Sequence, residues 1–326
     1  MRFYNRRTFL KSGLLVTGTL FASKTGFSAL MVNERSIHRH QIGDITCSIL
    51  KDFTMTYPFE SMVANADHLN LEPLLRKYNL DGKTVKSDYN VVLLKTKDKN
   101  VLIDTGIGYY SNPVEMMGKP VTIQGKLQEL LQTEEVAMED IDAVIITHFH
   151  PDHIGGIYSE NQALNFPNAQ FFVNQKEWDF WHSDEAAELP PMFAQFIKSN
   201  ITPLKNQRLQ TFSRDQEEIL PGIKVIQAPG HTPGHIALWL QSAGDSLLLS
   251  ADTFLHPVNL ENLKVITPFD IDPQQADASR RKIFGMVAGK NIPVHSFHFQ
   301  HPGLGFITKE NGNYQWKYLD VQLVKK

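Results

Sequence analysis

Cysteine is almost missing from this chain. Cys47 stands alone among 326 residues, which excludes an internal disulfide and any cysteine-rich metal site. A metal held here must be held by nitrogen and oxygen. A surplus of one charge is lacking too: 32 Lys and Arg against 35 Asp and Glu leave a net charge of −3. With no basic excess to neutralise phosphates, nucleic acid is not an expected partner. No apolar run reaches the roughly 20 residues of a membrane-spanning helix. The sequence shows no short-period repeat, no low-complexity tract and no Pro/Ser linker. The nucleophile elbow Gly-x-Ser-x-Gly is also absent, which argues against an α/β-hydrolase. What remains is ordinary for a soluble globular protein, with 42% hydrophobic and 21% charged residues. The length suits one large or two small domains.

The first residues differ from the rest. Asn5-Arg6-Arg7-Thr8-Phe9-Leu10-Lys11 closely resembles the twin-arginine export signal, and the apolar stretch from Gly13 to Ala22 fits the central region of a signal peptide. The alternative is a basic amphipathic N-terminal helix. Gly26-Phe27-Ser28 is the nearest small-x-small cleavage pattern, and no cysteine stands there to carry a lipid. The expectation is a signal peptide over residues 1–28, a mature domain over 29–326, and a bacterial periplasmic or secreted protein. Its export partner would be the twin-arginine machinery, with no stable membrane anchor.

Along the mature chain, Ile45 to Leu50, Asn90 to Thr96 and Asn100 to Asp104 read as strands, and Leu69 to Lys86 has helical character. Lys126 to Gln132 fits a helix. Ala143 to Ile146 is a short apolar run suited to a strand buried on both faces. Gln170 to Val173, Ile223 to Gln227, Ile236 to Leu240, Ser246 to Leu249 and Ile292 to His298 are further strand-like runs. Pro273 to Lys290 reads as a helix, with Ile283, Phe284 and Val287 on one face and Arg280, Arg281 and Lys282 on another. Two strand-rich halves separated by helices, with polar residues at strand ends, indicate one α/β sandwich domain.

The most informative residues are Thr147-His148-Phe149-His150-Pro151-Asp152-His153, directly after the buried run. Three imidazoles and a carboxylate at spacings of two, two and one, with Pro151 inside, predict a loop that can turn its side chains around two neighbouring points. Imidazole with carboxylate suits zinc, manganese or iron in a hydrolytic site. An exposed polar turn is the bland alternative.

This segment resembles the metal-binding signature of the metallo-β-lactamase superfamily. Ala228-Pro229-Gly230-His231-Thr232-Pro233-Gly234-His235, then Leu249-Ser250-Ala251-Asp252-Thr253, then a late histidine, are similar to its later segments in the expected order. The resemblance implies an αββα sandwich of two mixed sheets flanked by helices. It also implies two divalent ions, with zinc first and manganese, cobalt or iron as alternatives. His148, His150 and His231 would hold one ion, and Asp152, His153 and His298 the other, with Asp252 bridging. His235 matches a position that supports the site from outside. Asp104 has either a comparable supporting role or that of a turn cap. Around Val294 to Gly305 the chain resembles the methyl parathion hydrolase and quorum-quenching lactonase branch, whose ligand histidine stands four residues before Pro-Gly. That selects His298, with His295 and His301 as the alternatives. Phe166 to Gln170 leading to Glu177-Trp178-Asp179-Phe180-Trp181, and Phe269 to Pro273, are similar to the same branch.

The chemistry implied is attack on an ester-type bond by water activated between two metal ions, with Asp152 or Asp252 moving the proton. A lactone of the acyl-homoserine type, or a related ester, is the expected small-molecule substrate, and an organophosphate triester is the alternative. Trp178, Phe180, Trp181, Phe193 and Phe196 are candidates for an apolar pocket wall, or else simply core. A mono-iron redox enzyme of the same fold and a non-catalytic metal binder are the readings from other classes. The resemblance is compatible with a homodimer.

Overall fold

The computed structural model describes residues 36–116, 119–189, 193 and 196–319. The expected signal peptide therefore lies outside the described residues. The first half begins with strands β1 (Ile37–Ile42), β2 (Ile45–Pro58), β3 (Thr84–Lys95) and β4 (Asn100–Ile103). A small hairpin, β5 (Val114–Met116) and β6 (Lys119–Val121), stands apart. The first sheet resumes with β7 (Ala143–Ile145), β8 (Gln170–Asn174) and β9 (Leu209–Phe212). Its order is β1-β2-β3-β4-β7-β8-β9, antiparallel as far as β4 and parallel from there on.

The second half forms a matching sheet of seven strands: β10 (Glu218–Leu220), β11 (Ile223–Gln227), β12 (Ile236–Ser242), β13 (Asp245–Leu249), β14 (Val294–His295), β15 (Leu304–Glu310) and β16 (Asn313–Tyr318). Only β13 and β14 run parallel within it.

Strand side chains alternate in direction, and here each direction meets a different core. Ile49, Val92, Leu94, Val101, Ile103 and Ile145 of the first sheet pack against Val225, Leu238, Leu247 and Leu249 of the second. Their neighbours Leu50, Leu93, Leu102 and Val144 face the other way, onto Leu127, Leu130 and Leu131 of the helix Leu127–Thr133. Ile226, Ala237 and Leu248 likewise turn outward, onto Ile283, Phe284 and Val287 of the helix Pro273–Val287. Helix, sheet, sheet, helix is the αββα order. Cys47 sits in the core between the sheets, where burial pushes its thiol up to about 12.

Several expectations need correcting. Helical structure between Leu69 and Lys86 shrinks to Glu72–Lys77, because Thr84 onward pairs with β2. The last strand-like run is ladder only at Val294–His295, and residues 296–298 leave the sheet. Arg280 is not on the outer face of its helix. It lies four residues before Phe284 and seven before Val287, so helical spacing turns it inward, and it is buried.

Candidate metal centre

Every histidine and aspartate of the sequence motifs follows the end of a strand, and those ends lie on one side of the two sheets. β4 and β7 are parallel neighbours, with Ile103 opposite Ile145, so Asp104 and Thr147 emerge together. In the other sheet Leu249 of β13 stands opposite His295 of β14, so the chain runs on to Asp252 from one and to His298 from the other. His231 occupies the turn between β11 and β12.

The segment after β7 is only partly the expected loop. His148 to His150 lies outside any helix or strand, with His150 extended, but Pro151 opens a short helix, Pro151–Ile154, as proline does where its missing N–H costs nothing. Asp152 and His153 thus project from a helical turn. The sequence spacing could not show this because one turn is too short to produce a period.

Two groups of donors result. His148, His150, His231 and Asp252 converge, as do Asp152, His153 and His298, with the ligand atoms of each group within 4.8 Å of one another. The Asp252 carboxylate lies between the groups. Its Oδ2 is 3.3 Å from His231 Nε2 and 3.8 Å from His148 Nε2 on one side, and 3.0 Å from His298 Nε2 on the other. Its Oδ1 is 3.2 Å from His153 Nε2. Asp152 Oδ2 is 3.3 Å from His298 Nε2. His295 and His301 join neither group: His295 is buried in β14, and His301 Nδ1 is 2.7 Å from Asn90 Oδ1.

Donor chemistry and burial fit cations. His148 Nε2, His153 Nε2 and Asp252 Oδ1 are buried with no hydrogen-bond partner among the described residues, a costly state for polar atoms unless something else engages them. Burial, then the neighbouring imidazoles, holds His148 and His150 well below the usual histidine range. Burial opposes the charged form of His153 too, but Asp252, Asp104 and Asp152 outweigh it and raise His153. Burial would raise Asp252, yet His298 and His153 hold it well below the usual carboxylate range. So the carboxylate is ionised, as a ligand must be.

Outer partners fix the rings of His153, His298, His231 and His235. His153 Nδ1 is 2.7 Å from Asp104 Oδ2, and Asp104 also accepts from the Thr147 N–H and hydroxyl. His298 Nδ1 is 2.9 Å from Ser87 Oγ, and His231 Nδ1 is 3.2 Å from Asp270 Oδ1. Arg280 donates to Asp270 Oδ2 at 2.7 Å. His235 Nδ1 is 2.9 Å from the Ala228 carbonyl, and its Nε2 accepts the Asp252 N–H, so it shapes the approach to the bridging carboxylate. Such partners set tautomer and basicity.

Sequence reasoning gave no role to Ser87, Asp270, Arg280 or Glu177. Glu177, in the helix Gln175–Trp181, accepts from the Phe149 N–H and Trp181 Nε1 on one oxygen, and from the Thr232 hydroxyl and Gly234 N–H on the other. It ties the His148–His150 segment to the His231 turn. Gly234 makes this possible, because a Cβ there would stand 2.1 Å from the Glu177 nitrogen. Asp270 and Glu177 do lie inside the quoted branch segments, which was the available signal.

The proposed wall residues divide. The rings of Trp181 and Phe193 stand 6.0 and 6.2 Å from that of His150. Phe180 is buried beside Trp181, Trp178 lies over His182 at 4.2 Å, and Phe196 is half-buried against the same core.

The model of the Metallo-beta-lactamase superfamily matches residues 86–295, and the chain belongs to that superfamily. It is a metal-dependent hydrolase. Among its relatives, an N-acyl homoserine lactonase of Bacillus sp is 28% identical over 202 residues, 58% of this chain and 73% of the relative. The N-acyl homoserine lactonase AiiA of Bacillus thuringiensis subsp. kurstaki is 25% identical over 228 residues, 66% of this chain and 82% of the relative. Among solved structures, AidC, a dizinc quorum-quenching lactonase in complex with a product, N-hexanoyl-L-homoserine, is 25% identical with a TM-score of 0.74. AbOPH, a hydrolase of the beta lactamase superfamily, is 27% identical with a TM-score of 0.75. Both alignments cover 87% of this chain and 97% of the other.

Proposed function

We propose that the chain is a lactonase that opens the ring of N-acyl homoserine lactones, with two divalent ions, zinc foremost, held by His148, His150, His231, Asp152, His153 and His298 and shared through Asp252. The observation that carries this reading is the place of Asp252, whose two oxygens face imidazoles of both groups at 3.0 to 3.8 Å. When bound, two such ions would supply polarisation of a carbonyl and activation of water near neutral pH. The chain's own contribution is orientation and proton handling. Asp252 is 2% exposed, whereas the Asp152 side chain is 15% exposed and so the nearer of the two to solvent. Asp152 is therefore the carboxylate able to take up a proton and release it to solvent. Phe193, only partly buried beside His150, gives that edge an apolar flank suited to an acyl chain, whereas Trp181 is buried in the core. The lactonase relatives support this substrate class over a phosphotriester.

The test uses residues 29–326, loaded with zinc, and compares kcat/KM for an N-acyl homoserine lactone with that for an aryl phosphotriester. A lactone preference lost in His150→Ala supports the reading. A phosphotriester preference moves the substrate assignment, and activity on neither with two metals bound removes both. We further propose that residues 1–28 direct export by the twin-arginine route to the periplasm. Replacing Arg6 and Arg7 with Lys in the full chain then leaves the protein in the cytoplasmic fraction, and unchanged export would refute the route.

A further inference from the structure

The three imidazoles of one donor group come from two different sheets. His148 and His150 follow β7 of the first, and His231 lies in the turn after β11 of the second. Their rings nevertheless stand only 4.6 to 4.8 Å apart, and His150 Nδ1 is 2.9 Å from His231 Nε2. The backbone that carries them has to fix that spacing.

Glu177 is placed to do so without touching a ligand side chain. Its Oε1 accepts the N–H of Phe149, the residue between His148 and His150, at 2.8 Å. The Phe149 ring is buried in the core, so this segment is held from both its backbone and its side chain. The other oxygen, Oε2, accepts the Thr232 hydroxyl at 2.6 Å and the Gly234 N–H at 2.9 Å, and Thr232 is next in sequence to His231. One carboxylate thus has an oxygen on each ligand segment. Trp181 Nε1 fixes the orientation of that carboxylate at 2.7 Å, and Asn174, the cap of the same helix, donates to the Gly234 carbonyl at 2.7 Å. Glu177 is 1% exposed, and all four of its partners are donors on uncharged groups. Such a buried carboxylate is costly unless its donors are all in place, so the four bonds stand or fall as a unit.

The second donor group has no link of this kind. Asp104 and Ser87 each steady one ring, and the Asp152 carboxylate meets only His153 and His298 among the described residues. None of the Glu177 bonds reaches residues 152–153 or 296–298.

We propose that Glu177 is a positioning residue that sets the spacing of His148, His150 and His231 before an ion arrives, and so governs the affinity of that group apart from the other. A site already in its bound arrangement binds more tightly because less ordering is left to the binding step. The inference rests on the two-ion reading above and is independent of the substrate.

The test reads zinc affinity by competition with a chromophoric chelator in two single-site backgrounds. His298→Ala leaves the three-imidazole group, and His150→Ala leaves the other. Glu177→Gln keeps the shape but turns an NH2 towards one pair of donors. It is expected to weaken zinc about 10- to 100-fold in the His298→Ala protein and by no more than about threefold in the His150→Ala protein. Thr232→Val, which removes one of the four bonds, should give a smaller loss with the same selectivity, and it decides the matter if Glu177→Gln does not fold. Equal losses in the two backgrounds, or no loss in either, would overturn the proposal. Urea unfolding of the metal-free proteins isolates a purely structural role: lower stability with unchanged zinc affinity also overturns it. A wild-type chain that takes up no zinc is a different result, which ends the two-ion reading and this inference with it.

Discussion

The Asp104 carboxylate lies 2.7 Å from His153 Nδ1, on the far side of the ring from Asp252. That contact presents His153 Nε2 to the metal side and raises its basicity. Asp104→Asn keeps the shape but removes the charge. It is expected to weaken the ion at the Asp152, His153 and His298 group by about 10- to 100-fold while sparing the other. Metal content after dialysis against a graded zinc buffer checks this, and two equivalents retained at wild-type affinity would refute it.

Arg280 and Asp270 form a second support, with His231 at its inner end. Both side chains of the pair are buried, and Arg280 also donates to the Thr253 carbonyl. Removing one partner strands a buried charge. Arg280→Met should therefore cost about 3–5 kcal/mol in urea unfolding. Arg280→Met combined with Asp270→Asn should cost less than the sum of the single changes. Strict additivity would show that the pair is not coupled.

These supports mark what the sequence could and could not disclose. His148, His150, Asp152 and His153 are legible because four donors fall within six positions after a buried strand. An α/β sandwich is legible because strand-rich runs recur in two halves, and the αββα order followed from the family resemblance. The contacts of Ser87, Asp270 and Arg280 are not, since Ser87 and Asp270 meet His298 and His231 only through tertiary packing, Ser87 at 211 residues from His298, and Arg280 reaches His231 only through Asp270.

Chelation should lower stability as well as activity. With both ions removed, buried unpaired atoms at His148, His153 and Asp252 face one another. An ion present at about 1,000 times its Kd adds roughly 4 kcal/mol of folding stability per site. Thermal unfolding with and without EDTA should therefore show a fall of several degrees, restored by two equivalents of zinc. An unchanged Tm would mean that these groups bind no ion in the folded chain.

Asp52 offers a pH signature away from the metal ligands. Its carboxylate sits at the β2 bulge and accepts from the Ile107 and Leu127 N–H groups. It clamps the turn after Asp104 so closely that a Cβ on Gly106 would stand 2.3 Å from it. Burial pushes its pKa up to about 6, although those N–H groups favour the ion. The folded chain therefore holds this proton more tightly than the unfolded chain. Its contribution to stability is fullest below the unfolded value near 4 and declines as pH rises through about 6. Asp52→Ala leaves two N–H groups without this partner and should cost about 2 kcal/mol or more. The gap between wild type and variant, measured on the chelated proteins, should be about 1.4 kcal/mol larger near pH 5 than near pH 8. All other titrating groups are common to both proteins and cancel in the difference. A gap that is constant, or that widens with pH, would show that Asp52 is ionised in the folded chain over this range.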